Sequence, residues 1–190
     1  SAGEPPYKVT FQDDIQSDDI EYYAVTENCK KNPVEIRPDI PSDLKDPSNS
    51  ADYVIITIPE FIEAEGTLLF EQIWGEQGYS VEIVSLQDIF DEFNSGIRSV
   101  EAIKDFLYYA YNNWTEPGIS HVMLLGDGIF DERDFSVNRR YNLIPFKKLW
   151  VDVRGALASD NWIACIVGDD PVADIGLGRI NVWEEDQLLD

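Results

Sequence analysis

Ala51-Asp52-Tyr53-Val54-Ile55-Ile56-Thr57 decides the fold. From Tyr53 to Thr57 no polar residue alternates with the apolar ones. A strand with one wet face alternates, whereas an unbroken run belongs to a strand buried on both faces, as in a parallel sheet. Downstream, Pro59 suits the first position of a helix. Phe61, Leu68, Leu69 and Ile73 recur at helical spacing and predict a buried face, which Gly75 and Gly78 terminate. Tyr79 to Val84 predicts a second strand. Ser85 followed by Asp88 has the pattern of a capping box opening a short helix through Phe93. Ser99 is the expected cap of the next helix, whose stripe is Val100, Ile103, Leu107, Ala110 and Trp114, with Phe106 and Tyr111 beside it.

Val122 to Leu125 reads as a third strand that stops at Gly126-Asp127-Gly128 and leads into a loop rich in Asp and Arg. Leu143 to Val151 predicts an edge segment, because Pro145 interrupts it. Trp162 to Val167 and Ala173 to Leu177 predict two more strands, joined through Gly168-Asp169-Asp170-Pro171. Glu184 opens a final helix that is expected to be cut short at Asp190. Alternation of strands with helices specifies an α/β fold, a parallel sheet with helices on both faces. Ligands gather at the carboxyl ends of such strands, here Pro59, Gly126 to Asp134, and Ser159-Asp160.

Residues 1–50 have a different texture. Tyr7 to Phe11 and Ile20 to Val25 predict short strands, and Pro33, Pro38, Pro41 and Pro47 punctuate the extended stretch after them. They read as the end of an upstream β element plus a proline-rich linker, with the α/β unit over 51–190.

Composition excludes several function classes. The chain has 190 residues and carries 37 Asp and Glu against 14 Lys and Arg, a net charge of -23. Such a surface repels phosphate backbones and anionic lipid, so no nucleic-acid partner is expected. It also attracts cations, calcium among them, although keeping an extracellular protein soluble is reason enough for it. No membrane span is expected, because no apolar run approaches about 18 residues. Cys29 and Cys165 allow at most one disulfide, and His121 is the single histidine.

A His121–Cys165 dyad would need a thiolate within hydrogen-bond reach of its base. A cysteine inside an apolar run is more simply a small core residue. Asp127, Asp131 and Asp134 offer hard oxygen ligands at a strand end, which suits calcium. The competing arrangement has Asp127 accepting turn amides while Asp131 and Asp134 pair with Arg133, Arg139 or Arg140. Three carboxylates disfavour a phosphate cradle at Gly126. Asp169, Asp170 and Asp174 read as an ordinary turn. Trp114, Trp150, Trp162 and Trp183 read as core or interdomain contacts, with an apolar patch expected near Trp183.

An ordered set of segments resembles the N-terminal subdomain of gingipain-type cysteine peptidases. It comprises Ala51 to Thr57, Gly78 to Val84, Asp88 to Phe93, Ala102 to Leu107, His121 to Gly128 (His-Val-Met-Leu-Leu-Gly-Asp-Gly), Ala158 to Trp162 and Asp174 to Ile180. The resemblance implies a caspase-like domain of two side-by-side subdomains, of which this chain is the first. In that family the catalytic His precedes a Gly after one strand, and the Cys closes the next, both in the second subdomain. His121 is followed by Val122, and no His-Gly precedes Cys165, so no catalytic residue carries over. The chain is therefore expected to be inactive alone. Its implied partners are the second, catalytic subdomain of the same polypeptide and an upstream β domain, with polypeptide substrates for the whole protein. No cofactor is required on this reading, with calcium possible, and the location implied is extracellular or on a bacterial surface. Two alternatives remain. One is a degenerate module for secretion, adhesion or calcium-dependent interaction; the other is a flavodoxin-like ligand binder.

Overall fold

A computed structural model describes residues 25, 27–32, 38–130, 142–153 and 155–189. The chain divides into two units, residues 1–40 and 41–190. The described part of the first contains a single 3-10 turn, Glu27–Cys29, with Cys29 exposed. The strands expected at Tyr7 to Phe11 and Ile20 to Val25 lie outside the described residues, apart from Val25.

The second unit is built around β1 (Tyr53–Thr57), whose five residues are all buried. A 3-10 turn, Pro59–Phe61, leads to α1 (Glu65–Glu76). There follow β2 (Val81–Ser85), α2 (Leu86–Asn94), α3 (Val100–Asn113) and β3 (His121–Leu125). Next come β4 (Lys147–Val151), β5 (Gly155–Ser159), α4 (Asn161–Ala164) and β6 (Gly176–Ile180), then a closing 3-10 turn, Glu185–Leu189. The main sheet is wholly parallel in the order β2-β1-β3-β6, and β1 pairs Tyr53 with Val81 on one side and His121 on the other. No described helix is long and apolar enough to cross a membrane.

Successive strand side chains point to opposite faces, and the two faces collect different helices. Val54, Ile56, Val122 and Leu124 pack with Ile89, Ile103 and Phe106 of α2 and α3. Tyr53, Ile55, Met123 and Leu125 pack with Phe61, Phe70 and Trp74, and with Leu188 of the last turn. The α/β architecture with helices on both faces is therefore the one expected.

Several local expectations are corrected. Leu68, Leu69 and Ile73, expected to be buried, are exposed. Helix α1 begins at Glu65 rather than Pro59, and it turns Gly66, Thr67, Phe70 and Trp74 toward the sheet instead. Gly66 sets that rotation: a Cβ there would lie 2.3 Å from Leu188 Cβ, so only glycine admits so close an approach. Ser85 is the residue before α2 but makes no side-chain cap bond, so the capping box does not form. By contrast Ser99 Oγ accepts from Ala102 N at 3.2 Å, as expected. Leu143 to Val151 is not an edge of the main sheet. Its β4 portion pairs antiparallel with β5 in a separate hairpin. Trp162 to Val167 is not a strand either: Asn161–Ala164 forms one helical turn, so no hairpin flanks Gly168. Its apolar residues, Ile163 and Ala164, face α3 and β6, and an apolar run this short satisfies helix and strand alike.

Residues 41–50, expected as linker, are strapped onto the helices. The Glu92 carboxylate accepts from Ser42 Oγ at 2.6 Å and Leu44 N at 2.8 Å, and Trp114 Nε1 donates to Leu44 O at 2.9 Å. Trp162 is half-buried between Lys104 and Lys147, 4.2 and 4.3 Å from its ring centroid. Trp150 on the hairpin, 76% exposed, is far more open than Trp183 at 38%.

Candidate functional site

At the carboxyl ends of β1 and β3 the sheet is sealed by main-chain bonds. Thr57 Oγ1, fully buried, donates to Leu125 O at 2.8 Å. Beyond Leu125 the chain turns at Gly126, with φ of +155°, a value that disfavours any side chain. A Cβ on Gly128 would meet Ile144 O and Phe146 Cδ1, each at 2.7 Å. Glycine at these two positions lets residues 142–146 lie across the end of the strand. Asp127 then holds three elements by backbone and side chain. Its N–H donates to Val182 O at 2.8 Å, its carbonyl accepts from Ile144 N at 3.0 Å, and Oδ1 accepts from Gly128 N at 2.9 Å.

One carboxylate oxygen of Asp127 is thus committed to the turn. Asp131 and Asp134, the other two expected calcium ligands, lie outside the described residues, as do Arg133, Arg139 and Arg140. Among the described residues no group of three or more His, Cys, Asp or Glu could hold a metal ion. Asp174 of the other acidic loop is spent on the backbone: its Oδ2 accepts from Ile166 N and Val167 N at 2.8 and 2.7 Å.

Arg179, which no sequence motif singles out, organises this edge. From β6 its Nε and Nη2 grip Asp160 at 2.7 and 2.8 Å, a two-pronged pair. Nη1 donates to Gly126 O at 2.9 Å and Ile144 O at 3.0 Å, and Nη2 reaches Pro145 O at 3.4 Å. The arginine side chain is 9% exposed and its partner 27%. One side chain therefore ties β6 to the end of β3, to the segment crossing it, and to the start of α4. The sequence carries a trace of this in Ser159-Asp160 at a strand end and an arginine inside Gly176-Leu177-Gly178-Arg179-Ile180, but nothing in either segment says that they meet.

His121 and Cys165 are not brought together. His121 opens β3 at the amino edge of the sheet, stacked on Tyr53 with ring centroids 5.9 Å apart and edge-on to Tyr79 at 5.3 Å. Its Nδ1 lies 2.8 Å from Ser120 Oγ. Cys165 follows α4, buried, and its Sγ donates to Asn161 O at 3.1 Å. No hydrogen bond joins the two residues. Cys165 is thus not within a strand, contrary to expectation, though it is a packed core thiol.

A family model described as peptidase family C25 matches residues 46–190. No curated protein matches the chain. Among solved structures, the crystal structure of dimeric latent PorU from Porphyromonas gingivalis is similar, with a TM-score of 0.57 and 18% sequence identity. The match covers 73% of this chain but only 14% of that one. At that identity the likeness is one of fold.

Proposed function

The chain belongs to peptidase family C25, and from that premise we propose that it is the non-catalytic N-terminal part of a gingipain-like cysteine endopeptidase. The nucleophilic Cys and its His base would be supplied by a second subdomain of the same polypeptide. There the thiolate would attack the peptide carbonyl, the C–N bond would break as the His passes its proton to the leaving amine, and water would then hydrolyse the resulting thioester to release the acid product and restore the thiol. This chain would contribute a rigid flank to the cleft. Arg179 and Asp160 would fix the carboxyl edge against which the second subdomain packs. An upstream β domain, extracellular location and polypeptide substrates belong to the same proposal.

The observation that carries it is the environment of the sole histidine and of the buried cysteine. His121 shares its Nδ1 with Ser120, and Cys165 bonds to Asn161, so neither is placed to activate the other. Family membership with no assembled dyad favours a supporting part over a complete enzyme.

The test is hydrolysis of casein and of fluorogenic peptides by the purified chain, beside a longer polypeptide that carries the same region and the sequence after it. The expected result is no cleavage by the chain. Cleavage by the longer protein should vanish when its downstream cysteine is changed to alanine. Cleavage by the chain alone, abolished by Cys165→Ala, would overturn the proposal.

A further inference from the structure

Helix α1 packs one flank on the sheet and turns apolar residues outward as well. Leu69 and Ile73 stand one helical turn apart, on the same side as Gly66, and are 44% and 39% exposed. Leu68, across the solvent face, is 45% exposed. The closing turn, which meets α1 where Leu188 approaches Gly66, adds Leu189 at 54%. Apolar residues scattered singly over a surface are ordinary, but a helical pair beside a packed turn makes a strip.

The charge around this strip has one sign. Glu60 and Glu63 precede the helix, and Glu65, Glu71 and Glu76 lie on it. Glu184, Glu185 and Asp186 stand exposed at the start of the closing turn. Between Asp46 and Ile97 the sequence holds eleven Asp and Glu and no Lys or Arg, and no Lys or Arg follows Arg179. Gln72 donates to Glu76 at 2.8 Å, and among the described residues no ion pair engages any of these carboxylates.

Strip and rim together select an occupant. A metal ion gains nothing from apolar side chains, and among the described residues no group of three or more His, Cys, Asp or Glu could hold one. A second copy brings the same net charge of -23, and anionic lipid and nucleic acid are repelled in the same way. The chain's own residues 1–40 carry nine Asp and Glu against four Lys and Arg, so they are no better matched. A partner that is both cationic and apolar fits both parts. Lys and Arg on a polypeptide meet that need, since their stems lie along apolar surface while their heads reach the carboxylates.

We infer that the outer face of α1 and the closing turn dock a basic amphipathic segment of a partner polypeptide. Its apolar side chains cover Leu69, Ile73 and Leu189, and its Lys and Arg reach Glu65, Glu76 and the carboxylates of the turn. The inference is independent of whether the parent protein cleaves peptides, since it concerns binding alone.

Isothermal titration of the chain at low salt, with the end-blocked peptide acetyl-Leu-Lys-Lys-Leu-Leu-Lys-Lys-Leu-Leu-Lys-Lys-Leu-amide, tests it. The expected result is saturable binding that weakens with added salt. A peptide with every Leu replaced by Ser should bind at least about tenfold more weakly, because its apolar burial is lost. Joint replacement Leu69→Ser and Ile73→Ser in the chain should also cost about tenfold. Glu65→Gln should cost about threefold, whereas Asp105→Asn, an equal change of charge on α3 at the opposite face of the sheet, should cost under about twofold. Gln72→Glu adds a carboxylate to the same face and should tighten binding about twofold, a gain that misfolding cannot produce. No saturable binding, equal affinity for the Ser peptide, equal losses in Asp105→Asn and Glu65→Gln, or unchanged affinity in the double variant would each overturn the assignment. So would a dimer of the chain alone that Leu69→Ser disperses, since the face would then belong to a second copy.

Discussion

Replacing Arg179 with methionine removes the charge and all five hydrogen-bond contacts while keeping much of the side chain's apolar stem. The cost lies in the partners left behind. Asp160 loses both prongs of its partner but keeps contact with water, being 27% exposed. Gly126 O and Ile144 O lose donors at 2.9 and 3.0 Å. Removing one partner of a buried pair costs about 3–5 kcal/mol, and partial hydration of Asp160 places this case near the lower end. Each abandoned carbonyl adds on the order of 1 kcal/mol where water cannot reach it. The expected loss is therefore about 3–5 kcal/mol, depending on how far water reaches the two carbonyls. Asp160→Asn is milder, about 1–2 kcal/mol, because the arginine keeps its carbonyl acceptors. Arg179→Lys should fall close to methionine, since a point charge cannot serve Asp160 and the carbonyls together.

Urea unfolding followed by tryptophan fluorescence reads all three. With a slope of roughly 2 kcal/mol/M, the Arg179→Met midpoint should fall by about 1.5–2.5 M at unchanged slope. A double replacement, Asp160→Ala with Arg179→Met, should cost less than the two singles together by about 1–3 kcal/mol. An Arg179→Met cost under about 1 kcal/mol, or an Asp160→Asn variant more damaged than Arg179→Met, would refute this account of the edge.

Further outcomes are expected from the same assay. Ser99→Ala should cost about 1 kcal/mol, the usual worth of a helix cap, whereas Ser85→Ala, at a position without a cap bond, should cost less. Gly75→Ala, with open space around the added methyl, should stabilise by up to about 1 kcal/mol through helix propensity. Gly66→Ala should destabilise in spite of the same gain, because its Cβ would meet Leu188 at 2.3 Å. Glu82 on β2 has its pKa raised by burial first and then by Glu71 and Asp43. A carboxyl raised on folding favours the folded state below its unfolded pKa, and that contribution is lost as pH rises through the folded value. Glu82→Gln should therefore stabilise at pH 7 by a few tenths of a kcal/mol, screened as the site is, and by less near pH 4; equal gains at both would contradict the pKa shift.

The legible parts of the fold were those in which one residue pattern admits one structure. The run from Tyr53 to Thr57 could only be a strand covered on both faces, and it is an interior strand of the sheet. Ser99 followed by the Val100, Ile103, Leu107 and Ala110 stripe fixed α3 and its buried face. The errors fall where pattern is degenerate or where a distant contact decides. Leu68, Leu69 and Ile73 are apolar at helical spacing, but α1 is rotated by the close approach of Gly66 to Leu188, far along the chain. Trp162 to Val167 is short enough to be helix or strand, and its place between α3 and β6 settled it. The candidate site divides in the same way. Asp127 at a strand end was legible because a Gly-Asp-Gly turn is a local signal. Arg179 was not, because its partners come from three separate segments and no spacing announces them.

Two arginines converge on the segment that crosses the carboxyl edge. Arg179 is almost fully enclosed and its bonds all end on the protein, so it can only fix geometry. Arg98 as a whole residue is open to solvent, its two hydrogen bonds end on neutral carbonyls, and partial desolvation of the guanidinium end lowers its pKa from the ordinary value. Lowering that pKa means that the surroundings disfavour the charged form. The two arginines therefore act in series: Arg179 holds residues 142–146 across the strand end, and that same segment supplies the carbonyls that accept from Arg98.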